Sequence, residues 1–253
     1  MAPVLEAKDI VVRFGGVHAL RGVDLAVSPG EVCGLIGPNG AGKTTLFDVL
    51  SGTTLPTSGV VRLDGADVTR RSATWRARHG LRRTFQRQQI FGSLSVEDNV
   101  LAALEWHGGG GGLAGDLVGL PSRRRRERQR REAVSTVLED CGLLEVRHEP
   151  AGRLPIGLCR MMELGRAVVD EPRVVLLDEP TSGVDESETE QLGEVITRVA
   201  ARGAAVVLVE HDVGFVMRRC TRIVVLHLGE VIAEGTPDEV QADAAVGAAY
   251  LGS

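Results

Sequence analysis

Short, mostly aliphatic runs recur along the chain at 31–36, 174–177 and 204–209, the last reading AAVVLV, and each closes on a glycine or a polar cluster. Runs of this length suit strands buried on both faces of a parallel sheet, because both neighbours and both layers of helix are apolar. Between them, 44–50, 185–202 and Val213–Arg219 space their apolar residues for helices, with Gly52 placed to end the first. A further strand is expected over 223–228, then a turn at Gly229 and a short strand at 231–233. The alternation implies a parallel core sheet with right-handed crossovers. The N-terminal third reads differently. Leu5–Phe14, 19–27 and 60–63 look like strands without helices between them, and Asp64-Gly65 marks a hairpin turn. Together they predict a small antiparallel β-layer beside the core.

A helical stretch interrupts this pattern. Ser95 and Asp98 make a capping-box-like start to SVEDNVLAAL, and a helix is expected to run on from MMELGRAVVD. Between Leu104 and Glu132 lies a long insertion, with glycines at 108–112 and then Arg123–Arg131, seven arginines and one glutamate. Two readings fit the arginine run. It is the solvated face of a surface helix, or it meets anionic lipid or another polyanion. The tail EGTPDEVQADAAVGAAYLGS suggests one or two short helices.

Composition narrows the choices. With 253 residues and 43% hydrophobic content the chain can bury a large core. Aromatics are only 3%, so that core is aliphatic and a base-stacking platform is not expected. A net charge of −5 argues against a general nucleic-acid surface. No apolar run is long enough to cross a bilayer, and MAPVLEAKDI has neither a basic nor an apolar signal region, so no secretory leader is expected. Cys33, Cys141, Cys159 and Cys220 are scattered, which fits reduced thiols better than zinc or disulfides. Lysine is confined to Lys8 and Lys43, so the setting of Lys43 stands out.

Lys43 lies in EVCGLIGPNGAGKTTLFDVLSG, where Gly37, Gly42, Lys43 and Thr44 fit G-x-x-x-x-G-K-[ST] between strand and helix. Glycines let successive N–H groups converge on phosphate oxygens, and the helix N-terminus adds positive potential. Asn39, Gly40 and Thr45 belong to the same loop. Lys43 would reach the β- and γ-phosphates, and Thr44 would bind Mg²⁺. A nucleoside triphosphate site of this kind needs acidic groups at a neighbouring strand end, and RVVLLDEP supplies Asp178 for the metal and Glu179 for the attacking water. His211 follows the next strand, where it either contacts a γ-phosphate or is an ordinary strand-end histidine. Gln86 is either another contact to metal or water or an unremarkable loop glutamine.

Taken in order, GPNGAGKTT, TFQ, LPIG, LLDEP, SGVD and EHD resemble the ATP-binding cassette (ABC) ATPases over essentially the whole chain. The resemblance implies a P-loop NTPase fold of the ABC class: α/β, with a parallel sheet, an antiparallel β subdomain and an inserted helical subdomain. It divides the chain into a nucleotide-binding core with its β subdomain at 1–85 and 160–235, a helical subdomain at 86–159 with an insertion near 105–131, and a helical tail at 236–253. It also implies that Phe14 stacks on adenine, Gln86 links nucleotide to a transmembrane partner, Asp185 signals across a dimer and His211 is the switch histidine. In that family two cassettes pair head to tail, so a homodimer or a heterodimer with a sister ATPase is implied. Each ATP then lies between one phosphate loop and the other chain's signature loop. Integral membrane permeases, and an external solute-binding protein indirectly, are the further implied partners. The cytoplasmic face of the membrane is the implied location.

Within the family, Phe14-Gly15-Gly16, the insertion and the terminal AYLG are similar to ATPases of branched-chain amino acid uptake. Lipopolysaccharide-export ATPases share a similar ending, and a non-transporting iron–sulfur assembly cassette is the rival of a different class. Translation and DNA-repair branches usually add a second cassette, zinc cysteines or a coiled coil. By resemblance LPIGL is the signature loop, commonly Leu-Ser-Gly-Gly-Gln. Leu154 and Gly157 fit it, whereas Pro155 removes a hydroxyl and a backbone N–H.

Overall fold

The computed structural model describes residues 2–85, 89–104 and 121–251. By contact the chain separates into two units, the first formed by 1–86, 172–182 and 196–253 and the second by 87–171 and 183–195.

The first unit holds all of the strands described. Its antiparallel sheet has the order β2-β1-β4-β5, made of β1 Leu5–Phe14, β2 Val17–Val27, β4 Ser58–Leu63 and β5 Ala66–Asp67. Asp64 and Gly65 both take positive φ in the β4–β5 turn, the primed-turn geometry that the Asp-Gly pair favours. The other sheet has the order β10-β9-β3-β8-β7-β6. β3 Val32–Ile36 lies between β8 Ala205–Val209 and β9 Arg222–His227, β7 Val174–Asp178 pairs with β8, and all of these pairings are parallel. Every residue of β3, β7 and β8 is buried, which is why their sequences run apolar without alternation. β10 Glu230–Gly235 closes one edge antiparallel to β9. At the other edge β6 Leu81–Arg83 pairs in parallel with β7. β6 has no apolar run to announce it, and it exists because β7 offers a parallel edge.

Helices of this unit begin with α1 Lys43–Ser51, closed by Gly52 in the left-handed conformation, and α2 Ala73–Arg78. One aliphatic cluster, including Leu5, Ile10, Leu20, Leu35, Phe47 and Leu176, joins both sheets to α1.

The second unit is helical. α3 Val96–Ala102 starts at Ser95, whose Oγ accepts the Asp98 N–H at 3.0 Å, as the spacing predicts. α4 Pro121–Asp140 carries the arginine run, and α5 Ile156–Val168 follows the Leu154–Gly157 loop. These three helices pack together around Val100, Val134, Leu138 and Met162. Helix α6 Glu186–Ala201 spans the sequence boundary between the units. The chain then adds α7 Val213–Arg219 and the tail helices α8 Pro237–Ala242 and α9 Ala244–Leu251. Among the described residues no helix is long and apolar enough to cross a membrane.

Candidate functional site

The phosphate loop leaves the buried end of β3 at Gly37 and enters α1 at Lys43. Gly37 has φ 149°, and a Cβ there would lie 2.0 Å from the Leu226 carbonyl oxygen, so only glycine fits. At Gly42, φ is 107° and a Cβ would meet the Ala19 oxygen at 2.7 Å. No side chain caps the N-terminus of α1, which leaves its first N–H groups to the loop cavity. That cavity is about 350 Å³ and is lined by 39–45 together with Ala19, Glu179, Val209 and His211. Lys43 is buried, and its Nζ donates to the Gly37 and Pro38 oxygens at 2.6 and 3.1 Å. Burial lowers its pKa, while Glu179 and Asp178 pull it back up.

The acidic pair stands at the end of β7. Asp178 is 6% exposed, and burial raises its pKa against the opposing hydrogen bond from Arg83. Glu179, the next residue, sits at φ 49°, a conformation that costs a non-glycine residue about 1–2 kcal/mol. Its backbone N–H is fixed to the Val209 oxygen at 2.9 Å, and its Oε1 lies 2.9 Å from His211 Nε2. The kinked backbone and the hydrogen bond to a strand-end histidine together point a carboxylate at the phosphate loop. Pairing a base with an orienting imidazole suits activation of water.

Two contributors were not singled out in the sequence. Glu210 is buried, with Oε1 accepting both the N–H and the hydroxyl of Thr181 at 2.7 Å and Oε2 accepting the His211 N–H at 3.1 Å. It therefore anchors the segments carrying Glu179 and His211 to each other. Arg83, on β6, bonds Asp178 from behind. Glu210 precedes His211 in EHD and was legible as a strand-end acid, whereas nothing distinguishes Arg83 among so many arginines.

The remaining expected residues fall as follows. Phe14 is 56% exposed at the β1–β2 hairpin and is not part of the cavity lining, although Ala19 on the same hairpin is. Gln86 lies outside the described residues. Leu154, Gly157 and Asp185 belong to the second unit. There Pro155 is the N-cap of α5 and supplies no side-chain cap, so the helix start keeps free N–H groups despite the missing hydroxyl. Asp185 and Glu188 cap α6 reciprocally, at 2.9 and 3.1 Å, and the Glu188 carboxylate lies over Gly157, where an added Cβ would meet it at 2.1 Å.

A metal is implied beside the nucleotide. The hydroxyl of Thr44 and the carboxylate of Asp178 are hard oxygen donors, which fit Mg²⁺, and the Thr44 side of the pair lines the loop cavity. The described residues contain no cluster of three or more His, Cys, Asp or Glu that could hold a metal by themselves, so such an ion would share its ligands with phosphate and water.

Comparison with known proteins gives the family and the fold. The family model described as "ABC transporter" matches residues 20–182, and that described as "Branched-chain amino acid ATP-binding cassette transporter" matches 230–253. The chain is 39% identical over 251 residues to the high-affinity branched-chain amino acid transport ATP-binding protein BraF of Pseudomonas aeruginosa, covering 99% of this chain and 98% of the relative. It is 37% identical, with the same coverage, to the corresponding protein LivG of Escherichia coli K12. Among solved structures, the ADP conformation of MJ1267, an ATP-binding cassette of an ABC transporter, superimposes with a TM-score of 0.84 at 28% identity, covering all of both chains.

Proposed function

The chain belongs to the ABC transporter ATPases, and from that premise we propose that it energises a membrane importer of branched-chain or related hydrophobic amino acids. The observation that carries the ATPase reading is one cavity lined by the phosphate loop, Glu179 and His211. The names of the full-length relatives and the match over the last residues support the amino-acid assignment.

In this reading the loop N–H groups from Asn39 to Thr45 and Lys43 bind the ATP phosphates, with Gly37 shaping the turn and Phe14 serving the adenine. Thr44, Asp178 and Gln86 would hold Mg²⁺, which supplies charge neutralisation on the phosphates when bound. Glu179, held by His211, takes a proton from the attacking water and contributes on the order of 10²–10⁴-fold to the rate. Leu154, Gly157 and Asp185 serve the site of a second cassette, either another copy or a sister ATPase. ATP-driven pairing of the two cassettes works permease subunits at the cytoplasmic face of the membrane, and the solute-binding protein delivers amino acid from outside.

Variants separate binding from chemistry. Glu179→Gln is expected to keep ATP affinity, lose turnover by about 10²-fold or more and accumulate as an ATP-bound dimer on gel filtration. Equal turnover in mutant and wild type would contradict the role of Glu179. Lys43→Ala is expected to weaken ATP binding itself, measured by calorimetry. Co-purification with permease chains in detergent tests transport, and a stable complex holding no membrane protein would argue for a cassette that moves no solute.

A further inference from the structure

Arg83 is a buried cation placed where the sequence gives no reason to expect one. Its side chain is 7% exposed at the edge strand β6. Nη2 donates to Asp178 Oδ2 at 3.1 Å, and Nη1 donates to Asp48 Oδ1 at 2.6 Å and Ser51 Oγ at 3.1 Å. Asp48 and Ser51 lie on α1, the helix that starts at the phosphate loop. The guanidinium carbon stands 5.7 Å from the Phe47 ring centre and 5.2 Å from that of Phe85, which fixes its plane. Thr84, the next residue, accepts the backbone N–H of Asp178 through Oγ1 at 3.2 Å. Two consecutive residues at the end of β6 thus hold Asp178 by side chain and by backbone.

The arrangement does more than a neutral brace would. Nε of Arg83 is buried without a hydrogen-bond partner, so the guanidinium acts through its two Nη groups alone. One arginine faces two carboxylates, so the group keeps an excess of negative charge, as a site meant for a divalent cation requires. The planar fork reaches acceptors on two elements at once, which a lysine ammonium does not do.

We propose that Arg83 is a positioning residue for the metal–nucleotide complex: it occupies one oxygen of Asp178 and ties that carboxylate to α1, so the other oxygen is presented in register with the phosphate loop. The inference rests on the assignment of Asp178 to Mg²⁺. Loss of such an outer hydrogen-bond partner typically weakens a metal about 10–100-fold.

The test uses the full chain with Mn²⁺ in place of Mg²⁺, read by electron paramagnetic resonance with a slowly hydrolysed ATP analogue. Arg83→Met, close in volume, should raise the Mn²⁺ concentration for half-saturation by about 10–100-fold while analogue binding in EDTA stays as in the wild type. Arg83→Lys should recover part of the affinity. Asp48→Asn, at a more exposed anchor, serves if Arg83→Met fails to fold, and should move Mn²⁺ binding in the same direction by less. Wild-type Mn²⁺ affinity in the folded variants overturns the proposal. So does an equal loss of analogue binding in EDTA, which would make Arg83 only a structural support. Lys43→Ala runs alongside: if it binds the analogue as the wild type does, the ATP-site reading itself fails, independently of Arg83.

Discussion

Beside the Glu179–His211 contact lies Glu210, a buried carboxylate whose oxygens accept from Thr181 and from the His211 backbone N–H. Burial, more than any other influence, pushes its pKa above 4.5, and the bonds from Thr181 and His211 only partly offset this. Between the ordinary value and the raised one, the folded chain holds more proton than the unfolded chain. Stability therefore falls as pH climbs through that window. Wild-type protein should lose melting temperature relative to Glu210→Gln as pH is raised from about 4.5 toward neutrality. Parallel melting curves for the two would show that Glu210 does not titrate above its ordinary range. Lys43, Asp178 and Glu179 were legible because spacing beside apolar runs marks them. Arg83 was not, because its role depends on a strand that only pairing with β7 creates.

At the scale of elements, α1 is controlled from both ends. Glycines shape the loop that leads into its uncapped N-terminus, and Arg76, fully buried, closes its C-terminus by donating to the Val49 and Leu50 oxygens at 2.7 and 2.6 Å. The same guanidinium also bonds the oxygens of Val68, Thr69 and Arg71. Burial lowers its pKa to about 10, so it remains a cation at neutral pH and interacts favourably with the negative end of the helix. Arg76→Met leaves several buried carbonyls unsatisfied and is expected to cost at least about 3 kcal/mol, read as a lower urea midpoint. A midpoint equal to wild type would mean water replaces the guanidinium. Helix α5 resembles α1 at its start, since its N-cap Pro155 makes no side-chain cap either. The sequence announced α1, α5 and α6 by period and punctuation. For α2 it offered only the N-cap Ser72, and for β6 no signal at all; both are short and lean on their neighbours.

For the whole molecule, the proposed head-to-tail dimer would place the intact phosphate loop and the divergent LPIGL segment in different ATP sites. In a dimer with a sister ATPase, this chain's loop is expected to make the stronger hydrolytic site. Disabling Lys43 should then reduce transport in vesicles more than disabling the sister's equivalent lysine, and equal losses would remove the asymmetry.

The sequence by itself determined the class of the fold, the order of the motifs and the chemical identity of the phosphate loop. Those depend on local period, on glycine geometry and on residues adjacent in the chain. Only the tertiary structure decided which polar groups meet: Arg83 with Asp178 across 95 positions, Thr181 with Glu210 and His211 with Glu179. Such pairings are set by strand order and by burial, which turns a common arginine or glutamate into a fixed part of the site.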